Sequence, residues 1–120
     1  MKKILTIVLI FLSSLSFGQI RDSLVLKNDL IKKTSYYQNG NVREIGYFDL
    51  DERRHGKWTL YLENGNCSSI ASFKHGLKHG EWIMYDEDGS IVCRMFYKNG
   101  EKTGTWELYK NGELAQQRIY

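Results

Sequence analysis

A 24-residue repeat is the feature that most constrains how this chain can fold. The pattern Gly-x-Trp-x-x-Tyr occurs three times at a constant step of 24 residues. Its tryptophans are Trp58, Trp82 and Trp106, and its tyrosines are Tyr61, Tyr85 and Tyr109. A fixed period of this length is typical of repeat architectures, and it takes priority over any local assignment of helix or strand.

Each copy of the repeat predicts a β-hairpin, because an Asn-Gly or Asp-Gly dipeptide follows each tyrosine and readily supplies the positive φ angles of tight turns. Tyr37 and Tyr109 stand three residues before their turn glycine, which predicts two-residue type I′ turns. Tyr61 and Tyr85 stand four residues before theirs, which predicts three-residue loops closed by a glycine bulge. The expected register places Tyr37 opposite Val42, Tyr61 opposite Cys67, Tyr85 opposite Ile91 and Tyr109 opposite Leu114.

Successive hairpins predict an all-β fold, a single elongated antiparallel meander sheet of repeated hairpins. We predict repeats over residues 34–56, 57–80, 81–104 and 105–120, within one repeat domain of residues 34–120. The first copy is degenerate and carries Thr34 where the others carry tryptophan, as terminal repeats commonly do. Residues 19–33 are an N-terminal capping segment, either a capping strand, which we favour, or a loose arm.

Strand alternation predicts two faces, neither of which is wholly polar. One face is expected to carry Trp58, Leu60, Ile70, Trp82, Met84, Val92, Phe96, Trp106 and Leu108. The other is expected to carry Tyr61, Phe73, Ile83, Tyr85, Ile91, Met95, Tyr97 and Tyr109. We therefore expect one face to be covered by sheet curvature, by the N-terminal arm or by a partner.

The first 18 residues predict a signal peptide that directs the protein to the periplasm or outside the cell. Lys2 and Lys3 precede a short apolar run, and small residues follow it, with predicted cleavage before Gln19. The mature chain then carries 15 basic and 14 acidic residues, so nothing indicates a nucleic-acid partner. No stable membrane insertion is expected after cleavage, and attachment to a membrane surface is the weakest of the binding hypotheses.

Cys67 and Cys93 occupy equivalent return strands of successive repeats, with one strand expected between them. Export favours a disulfide, but two strand spacings of about 9.6 Å exceed the roughly 7 Å reach of a bridge between Cα atoms. We predict two free, partly covered thiols.

The combination Gly-x-Trp-x-x-Tyr, Asn/Asp-Gly and aromatic-Lys-x-Gly-x-x-x-Gly resembles the MORN-repeat variant family of bacteria, some of whose members are catalogued as antitoxin-like. The resemblance covers about residues 34–120, with three good copies and one weak one. It implies the MORN-like fold and a generic binding role. An antitoxin role does not agree with an export signal, and we do not carry it over.

The candidate binding residues are the aromatic ladder, formed by Trp58, Trp82, Trp106, Tyr61, Tyr85 and Tyr109. Its structural interpretation is packing within a single-layer sheet, and its functional interpretation is a surface that anchors a partner. The sequence thus predicts an exported, non-catalytic scaffold that binds another protein. The alternative is a cell-envelope glycan-binding module in which the same rings stack on polysaccharide.

Catalytic, metal and cofactor chemistry are not expected. His55, His75 and His79 are interpreted as surface loop histidines, because the next repeat has no histidine at the equivalent places. No histidine is in register with Cys67 or Cys93, and no paired carboxylates are predicted. We predict that the protein is not an enzyme.

Overall fold

The computed structural model describes the backbone of Val8–Ile10 and all of residues 22–120. The described residues form one antiparallel sheet of eleven strands and contain no helix. The strands are β1 (Val8–Ile10), β2 (Ser23–Lys27), β3 (Leu30–Tyr36), β4 (Val42–Phe48), β5 (Gly56–Tyr61), β6 (Cys67–Lys74), β7 (Leu77–Lys78), β8 (Gly80–Tyr85), β9 (Ile91–Lys98), β10 (Glu101–Lys110) and β11 (Glu113–Ile119). Across that same part of the chain, no helix exists that would be long and apolar enough to span a membrane.

The strands lie side by side in chain order, except that the two-residue strand β7 pairs beside β6. The principal extents are 47 × 41 × 18 Å, so the molecule is a thin slab one sheet thick. This confirms the predicted meander of hairpins. The predicted signal peptide, residues 1–18, lies outside the described residues apart from β1, whose backbone pairs with β2 so that Val8 is opposite Val25.

Three of the four predicted hairpin registers are confirmed. Tyr61 is opposite Cys67, Tyr85 is opposite Ile91, and Tyr109 is opposite Leu114. The two-residue turn at Asn111 and Gly112 has positive φ at both positions, as a type I′ turn requires. The loops after Tyr61 and Tyr85 contain three residues, closed by bonds such as that from the Leu62 N–H to the Asn66 carbonyl at 2.8 Å.

The prediction for the first hairpin was wrong by one residue. The Tyr37 N–H donates to the Asn41 carbonyl at 2.8 Å, which closes a three-residue loop, and Tyr36 is the residue opposite Val42. Lys33, and not Thr34, occupies the tryptophan position, since Lys33 faces Gly46 as Trp58 faces Ala71. The reason is the loop after β4, which is one residue longer than its later equivalents and makes the first step 25 residues.

The predicted faces were wrong for the return strands beyond their first residues. The reason is a bulge just after the turn in each of the four tyrosine hairpins, which the β2–β3 hairpin does not have. Tyr61 faces Cys67 but Leu60 faces Ser69, so Ser68 is an extra residue on β6. A one-residue shift sends each later side chain to the opposite face of the sheet. Phe73, Met95 and Tyr97 therefore share the face of the tryptophans, and Ile70 and Phe96 lie on the other. We call the surface with the three tryptophans the Trp face.

Candidate functional site

The three tryptophans lie in one row across the Trp face and are held in the same way. Trp58 is only 4% exposed, while Trp82 and Trp106 are half-buried. Each indole N–H donates at 2.9 Å to a carbonyl of the preceding return strand. The acceptors for Trp58, Trp82 and Trp106 are the carbonyls of Tyr47, Ser72 and Phe96. These bonds satisfy the one donor of each ring and hold its orientation.

A second set of aromatic rings fills the spaces beside the indoles. Ring centroids are 4.9–5.5 Å apart along the series Phe48 to Trp58, Phe73 to Trp82 to Tyr97 to Trp106, and Trp106 to Tyr120. The angles between the ring planes are 57–78°, within the tilted and edge-to-face arrangements that aromatic pairs prefer. The bulges make this possible, because they bring Phe73 and Tyr97 to the Trp face.

A cation covers each tryptophan. Arg54, Lys78 and Lys102, which we call the cation row, stand four residues before the tryptophans and repeat at 24-residue steps. Their charged groups lie 4.8, 4.7 and 4.9 Å from the centroids of the indoles. Each also lies 4.9–5.5 Å from the next aromatic ring. Sequence reasoning missed this row, although its 24-residue period is visible in the chain.

An exposed apolar stripe runs beside the indoles on the same face. It consists of Leu60, Met84 and Leu108, each two residues after a tryptophan, and these side chains are 42%, 48% and 48% exposed. Although these residues were expected on the Trp face, the sequence did not distinguish them from the buried rings beside them. The structure thus separates half-buried or buried indoles from an exposed stripe.

Two hollows open on the Trp face. The first has a volume of about 230 Å³ and lies between Trp58 and Trp82, where Ser69 and Ala71 of β6 contribute small side chains. The second, of about 320 Å³, is bordered by Trp106, Met95 and the β11 residues Gln116 and Arg118. Both are shallow and open, so the surface fits a protruding side chain better than an enclosed small molecule.

The tyrosines of the aromatic ladder lie on the opposite face, apart from the tryptophans. Tyr61, Tyr85 and Tyr109 are half-buried. The pKa of Tyr109 is raised mainly by burial, and to a smaller extent by the hydrogen bond with Glu107 and by the negative charge of Glu107. The structure therefore divides the six candidate residues between two surfaces.

The histidines connect the loops at one end of the hairpins. The Nδ1 of His55 accepts from the His75 N–H, and the Nδ1 of His79 accepts from the Asn99 N–H, each at 3.1 Å. These equivalent bonds support the interpretation of His55 and His79 as loop residues. Among residues 22–120, no three His, Cys, Asp or Glu side chains are grouped so that they could hold a metal ion.

Asp49 connects several residues in and around the loop after β4, and sequence reasoning did not identify it. Its carboxylate is buried and lies 2.8 Å from His75 Nδ1 and 2.9 Å from Arg53 Nε, and it also accepts from the N–H groups of Asp51 and Arg53. Burial raises the pKa of Asp49, but the bonds from His75 and Arg53 and from the two backbone groups outweigh it, so the pKa lies well below the ordinary range.

This depressed pKa predicts a loss of stability in acid. A carboxyl whose folded pKa is lowered stabilises the fold fully above its unfolded pKa of about 3.9, and the contribution is lost as the pH falls below that value. We expect Asp49→Asn to destabilise the protein at pH 7 and to differ less from the wild type in urea unfolding as the pH falls below about 4. The control is Asp88→Asn, at an exposed turn. A difference for Asp49→Asn that stays constant from pH 7 to pH 3 would contradict this account.

The two cysteines are free, as predicted, and β8 lies between their strands. Cys67 is half-buried, whereas Cys93 is 6% exposed. Burial raises the pKa of both thiols, which favours the unreactive thiol form.

Comparison with known families agrees with this architecture. The model described as MORN repeat variant matches residues 32–49, 54–75 and 78–99, just over half of the chain. The hairpin of β10 and β11 lies beyond these matches, yet it repeats the indole bond and the covering cation. Searches of curated proteins and of solved structures found no match. With three matched copies arranged as one hairpin sheet, the chain belongs to the MORN repeat variant family.

Proposed function

We propose that the protein is an exported, non-catalytic scaffold that binds another protein through its Trp face. MORN repeats generally mediate interactions with proteins or membranes and are generally non-catalytic. Export rests on the signal peptide predicted over residues 1–18. We do not extend the proposal to an antitoxin role.

The observation that carries the proposal is the exposed apolar stripe. Leu60, Met84 and Leu108 stand in line on one face, next to two half-buried indoles and two open hollows. A contiguous apolar patch exposed on a protein surface indicates an interaction site, whereas scattered apolar side chains do not. The stripe has a regular period, so it presents three equivalent anchor points to a partner.

The glycan alternative is less well supported by this geometry. A sugar ring that stacks on an indole needs one face of that ring, but Arg54, Lys78 and Lys102 each lie over an indole. Neighbouring aromatic rings occupy further space around Trp82 and Trp106. Polysaccharide would have to displace these cations before it could stack.

The test expresses the full chain in the source cells and applies a chemical cross-linker to their periplasmic or secreted fraction. The intact mass of the protein in that fraction also shows whether it has been cleaved before Gln19. The triple variant Leu60→Gln, Met84→Gln, Leu108→Gln removes the stripe without touching an indole. We expect it to reduce the yield of partner adducts about tenfold or more, because a few apolar anchors carry most of the binding energy of an interface.

The matched control removes three apolar side chains of similar exposure outside the stripe, through Leu50→Gln, Leu77→Gln and Leu114→Gln. It should keep the wild-type adducts, and both variants should keep the wild-type β-sheet circular dichroism. Equal losses in the two variants would contradict the proposal. A tryptophan fluorescence shift with wall polysaccharide, without any protein adduct, would instead favour the glycan module.

A further inference from the structure

The cation row carries positive charge that no acidic side chain of residues 22–120 neutralises in an ion pair. Arg54, Lys78 and Lys102 are exposed, and none of them forms an ion pair within residues 22–120. Arg118, at the far end of the sheet, lies over the Tyr120 ring and adds a fourth cation. The Trp face therefore combines exposed apolar residues with unpaired positive charge.

Of the acidic residues in these strands, Glu81 and Glu107 lie on the other face. Glu81 is opposite Phe96 and Glu107 is opposite Gln117, and both flank Arg94. The Glu81 carboxylate lies 3.4 Å from the Arg94 guanidinium.

The Trp face itself carries Glu44, which is opposite Leu60 and 3.8 Å from Lys33. It also carries Glu113, which is opposite Lys110. The cations of the Trp face thus outnumber its carboxylates, although the chain as a whole is close to neutral.

The positions of the cations are set in advance by the rings beneath them. Each side chain of the cation row contacts two aromatic rings, one of them an indole held by its hydrogen bond. Two strand spacings separate equivalent residues, so neighbouring cations stand about 9.6 Å apart across the sheet. Long side chains held in this way lose less conformational entropy when they bind an anion.

We propose that the Trp face binds an acidic amphipathic helix that lies across the strands, an inference that rests on the proposed function. Seven residues of an α-helix rise about 10.5 Å, close to the spacing of the cations and of the apolar stripe. Carboxylates at heptad spacing meet Arg54, Lys78 and Lys102, while an apolar row of the same period meets Leu60, Met84 and Leu108. A partner β-strand fits less well, because residues on one of its faces recur about every 6.8 Å.

The two hollows on the Trp face accept apolar side chains of the proposed helix. The hollow between Trp58 and Trp82 lies beside the stripe residues Leu60 and Met84, and the second lies beside Leu108. Two of these repeat steps span about 19 Å, so a helix of two to three heptads covers the whole stripe.

The test uses a synthetic 21-residue helical peptide with leucines along one face and glutamates at heptad spacing on one flank. Its partner peptide has glutamine at each glutamate position. We expect the glutamate peptide to bind the wild-type chain, and to bind about tenfold more weakly to the triple variant Arg54→Gln, Lys78→Gln, Lys102→Gln, because three charge pairs of modest strength are lost. Titration calorimetry measures both affinities.

The control variant Lys57→Gln, Lys74→Gln, Lys98→Gln removes three exposed lysines from the other face of the sheet and should bind as the wild type does. A second measurement needs no variant: the affinity of the wild-type chain for the glutamate peptide should fall as NaCl rises from 50 to 500 mM, and that for the glutamine peptide should not. Equal binding of the two peptides, or no binding of either, would overturn the inference.

Vesicles with and without an anionic lipid distinguish a membrane from a helix. Flotation with anionic vesicles that depends on the cation row, without peptide binding, would overturn the inference in favour of a membrane partner. The proposed function is judged separately by the stripe variant in the cross-linking test. Loss of adducts in that variant, together with failure of both peptides, would retain a protein partner and reject the acidic helix.

Discussion

Trp58→Ala should lower the free energy of unfolding by roughly 3–5 kcal/mol, the range for removing a large buried aromatic side chain. Trp58 is the most buried large side chain in the described residues, and it packs edge-on against Phe48 at 4.9 Å between centroids. A loss of this size is a large part of the stability of a small domain. Urea unfolding followed by far-UV circular dichroism measures the change without relying on the deleted fluorophore.

Trp106→Ala is the matched comparison, because it removes the same ring with the same type of hydrogen bond from a half-buried site. Its cost should be clearly smaller, since less apolar area leaves water when Trp106 folds into place. Equal costs at the two positions would show that burial does not distinguish them. A larger cost for Trp106→Ala would contradict the assignment of Trp58 as the centre of the packing.

Gly46→Ala should destabilise the fold by about 1–3 kcal/mol, as expected when a well-packed site is overfilled. A Cβ at Gly46 would lie 2.0 Å from Cδ2 of Trp58 and 2.3 Å from Cε3, so the indole would have to move. Glycine normally weakens a strand, and here its absence of a side chain lets the ring approach the backbone. Chemical denaturation measures the loss.

A double-mutant cycle tests whether the clash with Trp58 causes the expected loss of stability in Gly46→Ala. In the Trp58→Ala background, Gly46→Ala should cost little or stabilise the protein, because the new methyl group enters the space left by the indole. Ala71, which faces Trp58 from β6, already carries a Cβ, so the close approach belongs to the Gly46 side of the ring. If the changes in the free energy of unfolding were additive for the two substitutions, the contact with Trp58 would not explain why residue 46 is a glycine.

The hairpin meander was predictable because its causes are local. An Asn-Gly dipeptide favours positive φ wherever it occurs, and the turn at Asn111 and Gly112 has the predicted form. The same local information placed Tyr61, Tyr85 and Tyr109 opposite the correct residues. The register of the first hairpin failed because the extra residue in the loop after β4 shifts the repeat by one position, and no short motif reveals that shift.

The candidate site was predictable only in part. The tryptophans were found from their period, but their burial depends on which strands lie beside them. The cation row and Asp49 were not selected, since the role of a basic residue four places before a tryptophan, or of an aspartate in a loop, depends on contacts with residues 18–26 positions away. Charged and apolar residues are frequent in such a chain, so the spacing of these residues alone did not identify the cation row or Asp49.

The 24-residue period was enough to specify hairpins, their order and a single sheet, because turns and strand alternation depend on neighbouring residues. The tertiary structure alone decided which side chains share a face, since each bulge adds one residue and reverses every side chain beyond it. By that reversal Phe73 and Tyr97 join the indoles beneath the cation row. The rings are thereby covered, and Leu60, Met84 and Leu108 remain as the exposed apolar surface.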